Sequence, residues 1–117
     1  MEGVGFAEKL AFDRMAKLDC PVGEVICTTG GACRSALWLR IRASILNRQL
    51  KVPRVVDAAM GSALLAASER MGGLAAAAER MIDYADVVDP DPALVTPYEN
   101  IYGQFLEDVR KNYGVEV

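Results

Sequence analysis

The stretch from Glu24 to Ile41 constrains this chain more than any other. It runs Glu24-Val25-Ile26-Cys27-Thr28, then Thr29-Gly30-Gly31-Ala32-Cys33-Arg34, then Ser35-Ala36-Leu37-Trp38-Leu39-Arg40-Ile41. A β-branched apolar run that meets paired glycines and opens into a helical pattern reads as strand, tight turn and helix. Glycine carries no Cβ, so at positions 30 and 31 another molecule can approach bare main chain. The first turn of the following helix leaves N–H groups unbonded, and these attract anions or polar edges. The turn is therefore expected to face a nucleotide, with the rest of the chain as its support.

The neighbouring segments fit that role. Trp38, Ile41 and Ile45 recur on one face of a helix from Ser35 to Asn47, widened by Leu37 and Leu46. Trp38 at this spacing reads as a packing residue rather than a ligand stacker. Gln49 to Pro53 reads as a short strand ended by proline, which cannot donate to a ladder. Strand, helix and strand over this length form a βαβ unit, with parallel strands and a right-handed crossover.

Upstream, Phe6, Leu10, Met15 and Leu18 follow helical spacing from Glu2 or Gly3 to about Leu18, before Asp19-Cys20-Pro21-Val22-Gly23 breaks the pattern. Downstream, Asp57 is a natural N-cap for a helix of small residues, Ala58-Ala59-Met60-Gly61-Ser62-Ala63-Leu64-Leu65-Ala66-Ala67, and Gly72-Gly73 ends the segment. Gly61 costs such a helix about 1 kcal/mol relative to alanine, which predicts close approach of another backbone or a ligand there. Leu74 to about Tyr84 reads as a further helix, and Asp89-Pro90-Asp91-Pro92 as a rigid loop. Thr96-Pro97-Tyr98-Glu99 has the form of a capping box with proline at the first helical position, so the last helix is expected to open there. Its stripe of Tyr98, Ile101, Tyr102, Phe105, Val109 and Tyr113 reads as core.

This tally yields many helices and only two strands. Parallel pairs are normally buried within larger sheets, and an unpaired edge invites unwanted pairing. The two strands are therefore expected to join others outside this chain, or a second copy of it.

Composition narrows the function. The 117 residues suit a single domain, and a hydrophobic fraction of 52% supplies a core. A net charge of −3 argues against general attraction to nucleic acid or a membrane surface. No acid lies between Val25 and Val56, where Arg34, Arg40, Arg42, Arg48, Lys51 and Arg54 gather. That run is either an ordinary solvated face or a basic rim beside an anionic ligand. There is no histidine, and Cys20, Cys27 and Cys33 lack metal-ligand spacing, so neither a zinc site nor a histidine-based catalytic pair is expected. Cys27 reads as a core residue on its strand. Reduced thiols fit a cytoplasmic setting. No signal peptide is visible, and the apolar runs are too short to span a bilayer.

Taken together, these residues resemble the C-terminal part of the FGGY carbohydrate kinases. Thr28-Thr29-Gly30-Gly31-Ala32-Cys33-Arg34-Ser35-Ala36-Leu37-Trp38 resembles that family's adenosine motif. Val52-Pro53 resembles its following strand. Met60-Gly61-Ser62-Ala63-Leu64-Leu65-Ala66-Ala67 resembles its next helix, and Asp89-Pro90-Asp91 with Tyr98 its closing segment. Glu2-Gly3-Val4-Gly5-Phe6 resembles the helix before the adenosine strand. Ala43-Ser44, Leu46-Asn47 and Val56-Asp57 depart from the family's usual residues and leave the sugar subgroup undefined.

The resemblance implies an α/β fold, a partial actin-like, ribonuclease-H-like ATPase domain, helix-rich with a short parallel βαβ unit. Residues 1–117 would then be a single domain, the C-terminal portion of the second, nucleotide-binding domain. It implies ATP, with Mg2+ in the complete enzyme, and a sugar or polyol as phosphoryl acceptor. It places Gly30, Gly31 and Ala32 beside the adenosine and Ser35 where a side chain meets the base. Ser35 as a plain N-cap is the competing reading. The family's catalytic aspartate and phosphate loops lie outside the matched stretch, so no catalytic or metal-binding residue is assigned, and the isolated chain is expected to be inactive. Two alternatives stand beside this one. The first is a non-catalytic interaction module that forms a homodimer. The second is a small Rossmann-like enzyme, weakened by the absence of G-x-G-x-x-G spacing.

Overall fold

The computed structural model describes residues 1–117. Its axis is the central strand, the second of three. Strand β1 (Val25–Cys27) lies parallel to strand β2 (Gln49–Pro53), with Ile26 opposite Leu50 and Cys27 opposite Lys51. Strand β3 (Tyr84–Val88) flanks the other side of β2 and runs antiparallel, with Leu50 opposite Val88 and Lys51 opposite Val87. The sheet order is β1-β2-β3, and the pairing becomes irregular between Val52 and Pro53.

The third strand corrects the expectation of only two. The helix expected to reach Tyr84 stops at Met81, and the chain then enters β3. The segment Tyr84-Ala85-Asp86-Val87-Val88 hides its strand character because it is an edge strand, largely exposed, with an acid in its middle. The Asp86 carboxylate accepts the N–H of its neighbour Val87 at 2.8 Å.

Helix α2 (Ala36–Leu46) crosses over from β1 to β2 and covers one face of the sheet. There Leu39, Ala43 and Leu46 meet Leu50 and Val52, with Ile26 and Val88 against them. The other side of α2 sends Ile45 between helix α1 (Glu2–Lys17) and helix α5 (Pro92–Tyr113), where it packs with Phe6, Tyr98 and Tyr102. Phe6 stands edge-on to Tyr98 and stacks on Tyr102, with centroids 6.1 Å apart in both pairs. The Tyr98 hydroxyl donates to Glu2 at 2.9 Å, and the Tyr102 hydroxyl to Asp13 at 2.6 Å. Burial, and then the carboxylate partner, raise both phenols above their ordinary range. Trp38 is buried as expected, and Leu37 is exposed.

Asn47 ends α2 in the left-handed conformation, φ 49° and ψ 49°, which asparagine tolerates. At its other end α5 departs from expectation. It opens at Pro92, not after Thr96, and Asp91 is the N-cap, its carboxylate accepting from Ala93 N at 3.0 Å. An Asp-Pro pair suits N-cap and first helical position as well as Thr-Pro does. The earlier start brings Leu94 against the aromatic cluster, and Ser44 secures it by accepting the Asp91 N–H at 3.0 Å. Pro97 then falls inside the helix close to its start, where it removes a single intrahelical bond. Arg40 pairs with Asp91 and, together with the Ala93 N–H, holds that carboxyl below its usual range.

Helices α3 (Ala58–Met71) and α4 (Leu74–Met81) form a hairpin about Gly72 and Gly73, both at positive φ. Part of one expectation and the whole of another fail here. Nothing beyond the local helix lies within 4 Å of where a Cβ at Gly61 would sit, so no other backbone approaches it and the position is left open to a ligand. The close approach occurs instead at Gly5, where a Cβ would meet Ile45 Cδ1 at 2.7 Å. Cys27 is exposed rather than core. Side chains alternate along a strand, and only the Ile26 face of the sheet is covered, so Val25 and Cys27 point away from α2.

Candidate functional site

After β1 the chain makes one more ladder bond, from Thr28 N–H to Lys51 O at 2.9 Å, and leaves the sheet. Gly30 takes φ 89°, ψ −176°, a conformation open to glycine and closed to side-chain-bearing residues. Its N–H donates to Val56 O at 3.1 Å, which ties the turn to the segment before α3. Gly31–Arg34 form a single 3-10 turn, with Cys33 N–H bonded to Gly30 O at 3.1 Å. Ser35 then accepts from Trp38 N–H at 3.2 Å and caps α2. That bond uses a lone pair and leaves the Ser35 hydroxyl proton free to donate.

The bend is not plugged. A Cβ built at Gly30 or at Gly31 would find nothing within 4 Å. A shallow apolar groove of about 290 Å³ lies where the turn passes into α2, lined by Met1, by Val4 of α1, and by Ala32, Ser35 and Trp38. A second groove, of about 200 Å³, includes Thr29, Asp57 and Gly61. Of the four expected residues, Ala32 and Ser35 line the first groove, whereas Gly30 and Gly31, which precede them in the chain, line neither groove. Gly61 lines the second groove with Thr29, as a groove wall rather than a packing contact.

Half of the arginine-rich run is spent on internal ion pairs. Arg40, Arg42 and Arg54 pair with Asp91, Glu8 and Asp83, acids supplied by other parts of the chain, whereas Arg34, in the turn itself, is exposed. Of the paired three, Arg42 is the one that bears on the turn. It grips Glu8 of α1 with two bonds, Nε to Oε2 at 2.7 Å and Nη2 to Oε1 at 2.5 Å. Its remaining Nη1 donates to the hydroxyl of Thr28. The bond to Glu8 raises the guanidinium pKa beyond its ordinary value despite burial. Thr28 is buried, and Cys33 Sγ lies 3.8 Å from its Oγ1. Sequence reading missed Glu8 and Thr28 because their partner lies many positions away and no local spacing links them.

No three His, Cys, Asp or Glu side chains come together in the chain.

The chain belongs to the FGGY family of carbohydrate kinases: residues 1–69 match the family's C-terminal domain. This membership sets aside the Rossmann-like alternative. Over 105 residues the chain is 25% identical to the probable L-xylulose kinase of Haemophilus influenzae, an alignment covering 89% of this chain and 20% of that protein. Its fold matches the xylulose kinase of Rhodospirillum rubrum with TM-score 0.77 at 22% identity, over 94% of this chain and 23% of that one. It also matches a xyloylose kinase of Brucella ovis with TM-score 0.73 at 26% identity, over 98% and 24%. The fold is thus the helix-rich, actin-like ATPase type with a parallel pair in a small sheet. The chain spans about a fifth to a quarter of the length of these relatives.

Proposed function

We propose that this chain is the adenine-nucleotide-binding portion of an ATP-dependent carbohydrate kinase, acting with the rest of such an enzyme to move a phosphoryl group from ATP to a sugar or polyol hydroxyl. The observation that carries this reading is Gly31. Its backbone does not require glycine, and no neighbour crowds the place of a side chain. A bare position that the protein itself does not demand is accounted for by a flat ligand lying against it. In this reading the purine face rests along Gly30, Gly31 and Ala32, and the free Ser35 proton meets a polar edge of the base. Phosphoryl transfer needs a base, magnesium and phosphate clamps held together. This chain brings no such set together, so alone it binds nucleotide weakly and transfers nothing. Its three free thiols suit a reducing, cytoplasmic setting.

ATP titration followed by amide chemical shifts tests the reading. Shifts confined to Gly30, Gly31, Ala32 and Ser35, lost in Gly31→Val with the fold retained, support it. ATP binding unaltered by Gly31→Val overturns it. The second reading, a self-associating module without nucleotide, rests on the uncovered sheet face bearing Val25, Cys27 and Val87. Sedimentation that shows a tight dimer, with no nucleotide shifts, selects it.

A further inference from the structure

We infer that Arg42, held by Glu8, is the positioning residue of the glycine turn, and that the Glu8–Arg42–Thr28 chain sets the width of the groove beside it. The inference deepens the nucleotide reading and rests on it for the ligand, though not for the mechanics.

Thr28 is the last residue fixed by the sheet, two positions before Gly30. On the sheet side the turn is held by backbone bonds, Thr28 to Lys51 and Gly30 to Val56. On the helix side its hydrogen bond outside the turn itself comes from Arg42 to Thr28. Glu8 lies one helical turn beyond Val4, and residues four apart share a helix face. Val4 of α1 lines the groove together with Ala32 and Ser35, which follow the turn. The chain of bonds therefore ties the α1 part of the lining to the turn part. The Arg42 and Glu8 side chains are only 14% and 23% exposed, so water competes weakly for this fork. A lysine cannot replace it, because a single ammonium lacks the planar geometry that holds Glu8 twice while reaching Thr28. Arg42 itself touches no groove surface and acts through Thr28.

The test is Thr28→Val, which removes the hydroxyl, keeps the shape and leaves the Arg42–Glu8 pair in place. Amide hydrogen exchange on the full chain should quicken roughly tenfold at Gly30 and Cys33, the loss of one charge-assisted bond, while Ile45 is unchanged. Affinity for ATP should fall by a similar factor. Thr28→Ser, which restores the hydroxyl, should return both toward wild type. If Thr28→Val leaves exchange at Gly30 and Cys33 as in wild type, the pair is only a staple between α1 and α2, and the inference is wrong. If Thr28→Val loosens the whole molecule, Thr28→Ser decides: protection regained supports the hydroxyl link, and protection still lost overturns it in favour of methyl packing. A wild-type chain that ignores ATP, with a turn that still loosens in Thr28→Val, defeats the nucleotide reading and leaves the positioning role standing. The opposite pair of results does the reverse.

Discussion

Helix α2 buries Trp38, Leu39, Ala43, Ser44, Ile45 and Leu46, whereas the longer α3 buries nothing, although the two are equally apolar on average. The difference lies in connection, not composition. As the crossover between two parallel strands, α2 must lie on the sheet. Helix α3 follows β2 and packs on α4, leaving Leu65 66% exposed and the far face of the sheet uncovered. Apolar residues at helical spacing make a helix in both places, but only a topological neighbour makes a core. The glycines teach the same lesson. Gly61 in α3 stands in open space, whereas Gly5 in α1 lies against Ile45.

The sharpest test of this contrast is a pair of truncations. Leu50→Ala in the central strand should cost about 3 kcal/mol, and Leu65→Ala in α3 less than about 0.5 kcal/mol, both read by urea unfolding. Similar losses from the two would erase the distinction. Tyr102→Phe comes next, removing a bond to a carboxylate at a cost of about 1–2 kcal/mol at neutral pH. The Tyr102 phenol is raised by burial and by Asp13. Its contribution is therefore full below the unfolded value, about 10, and fades as pH climbs from there toward the folded value. Unfolding followed from pH 8 to 11 should show an alkaline decline that is shallower in Tyr102→Phe.

The glycine pair should then move in opposite directions. Gly61→Ala should stabilise by up to about 1 kcal/mol through helix propensity. Gly5→Ala should destabilise by roughly 1 kcal/mol, because the buried Ile45 must give way. Thermal melts of both variants check the signs. The smallest effect is expected at the exposed Arg54–Asp83 pair, where Arg54→Ala should change stability by no more than about 0.5 kcal/mol.

What could be read from the sequence follows from the range of the interactions. The strand–glycine–helix–strand order, the Asp57 cap and the burial of Trp38 are set by neighbours a few positions apart, and all were legible. The start of α5 was misread because Asp91-Pro92 and Thr96-Pro97 are equally good local signals, and Ser44, far away, selects the first. Strand β3 was missed because an exposed edge strand lacks the alternation that burial imposes. At the site, the bare turn was visible in the glycines. The Glu8–Arg42–Thr28 chain was not, since an ion pair between two helices leaves no periodic trace.

Proline at position 53 has a consequence for all of this. Donors and acceptors alternate along the parallel rungs, from Gln49 N–H to Glu24 O at 3.2 Å and, further along, from Thr28 N–H to Lys51 O at 2.9 Å. The next donor in the series would be residue 53, and a pyrrolidine nitrogen carries no hydrogen to give. The zip between the strands therefore stops at Thr28, whose carbonyl is let go. One absent hydrogen on the middle strand fixes where the first strand peels off, and so where the glycines are free to bend.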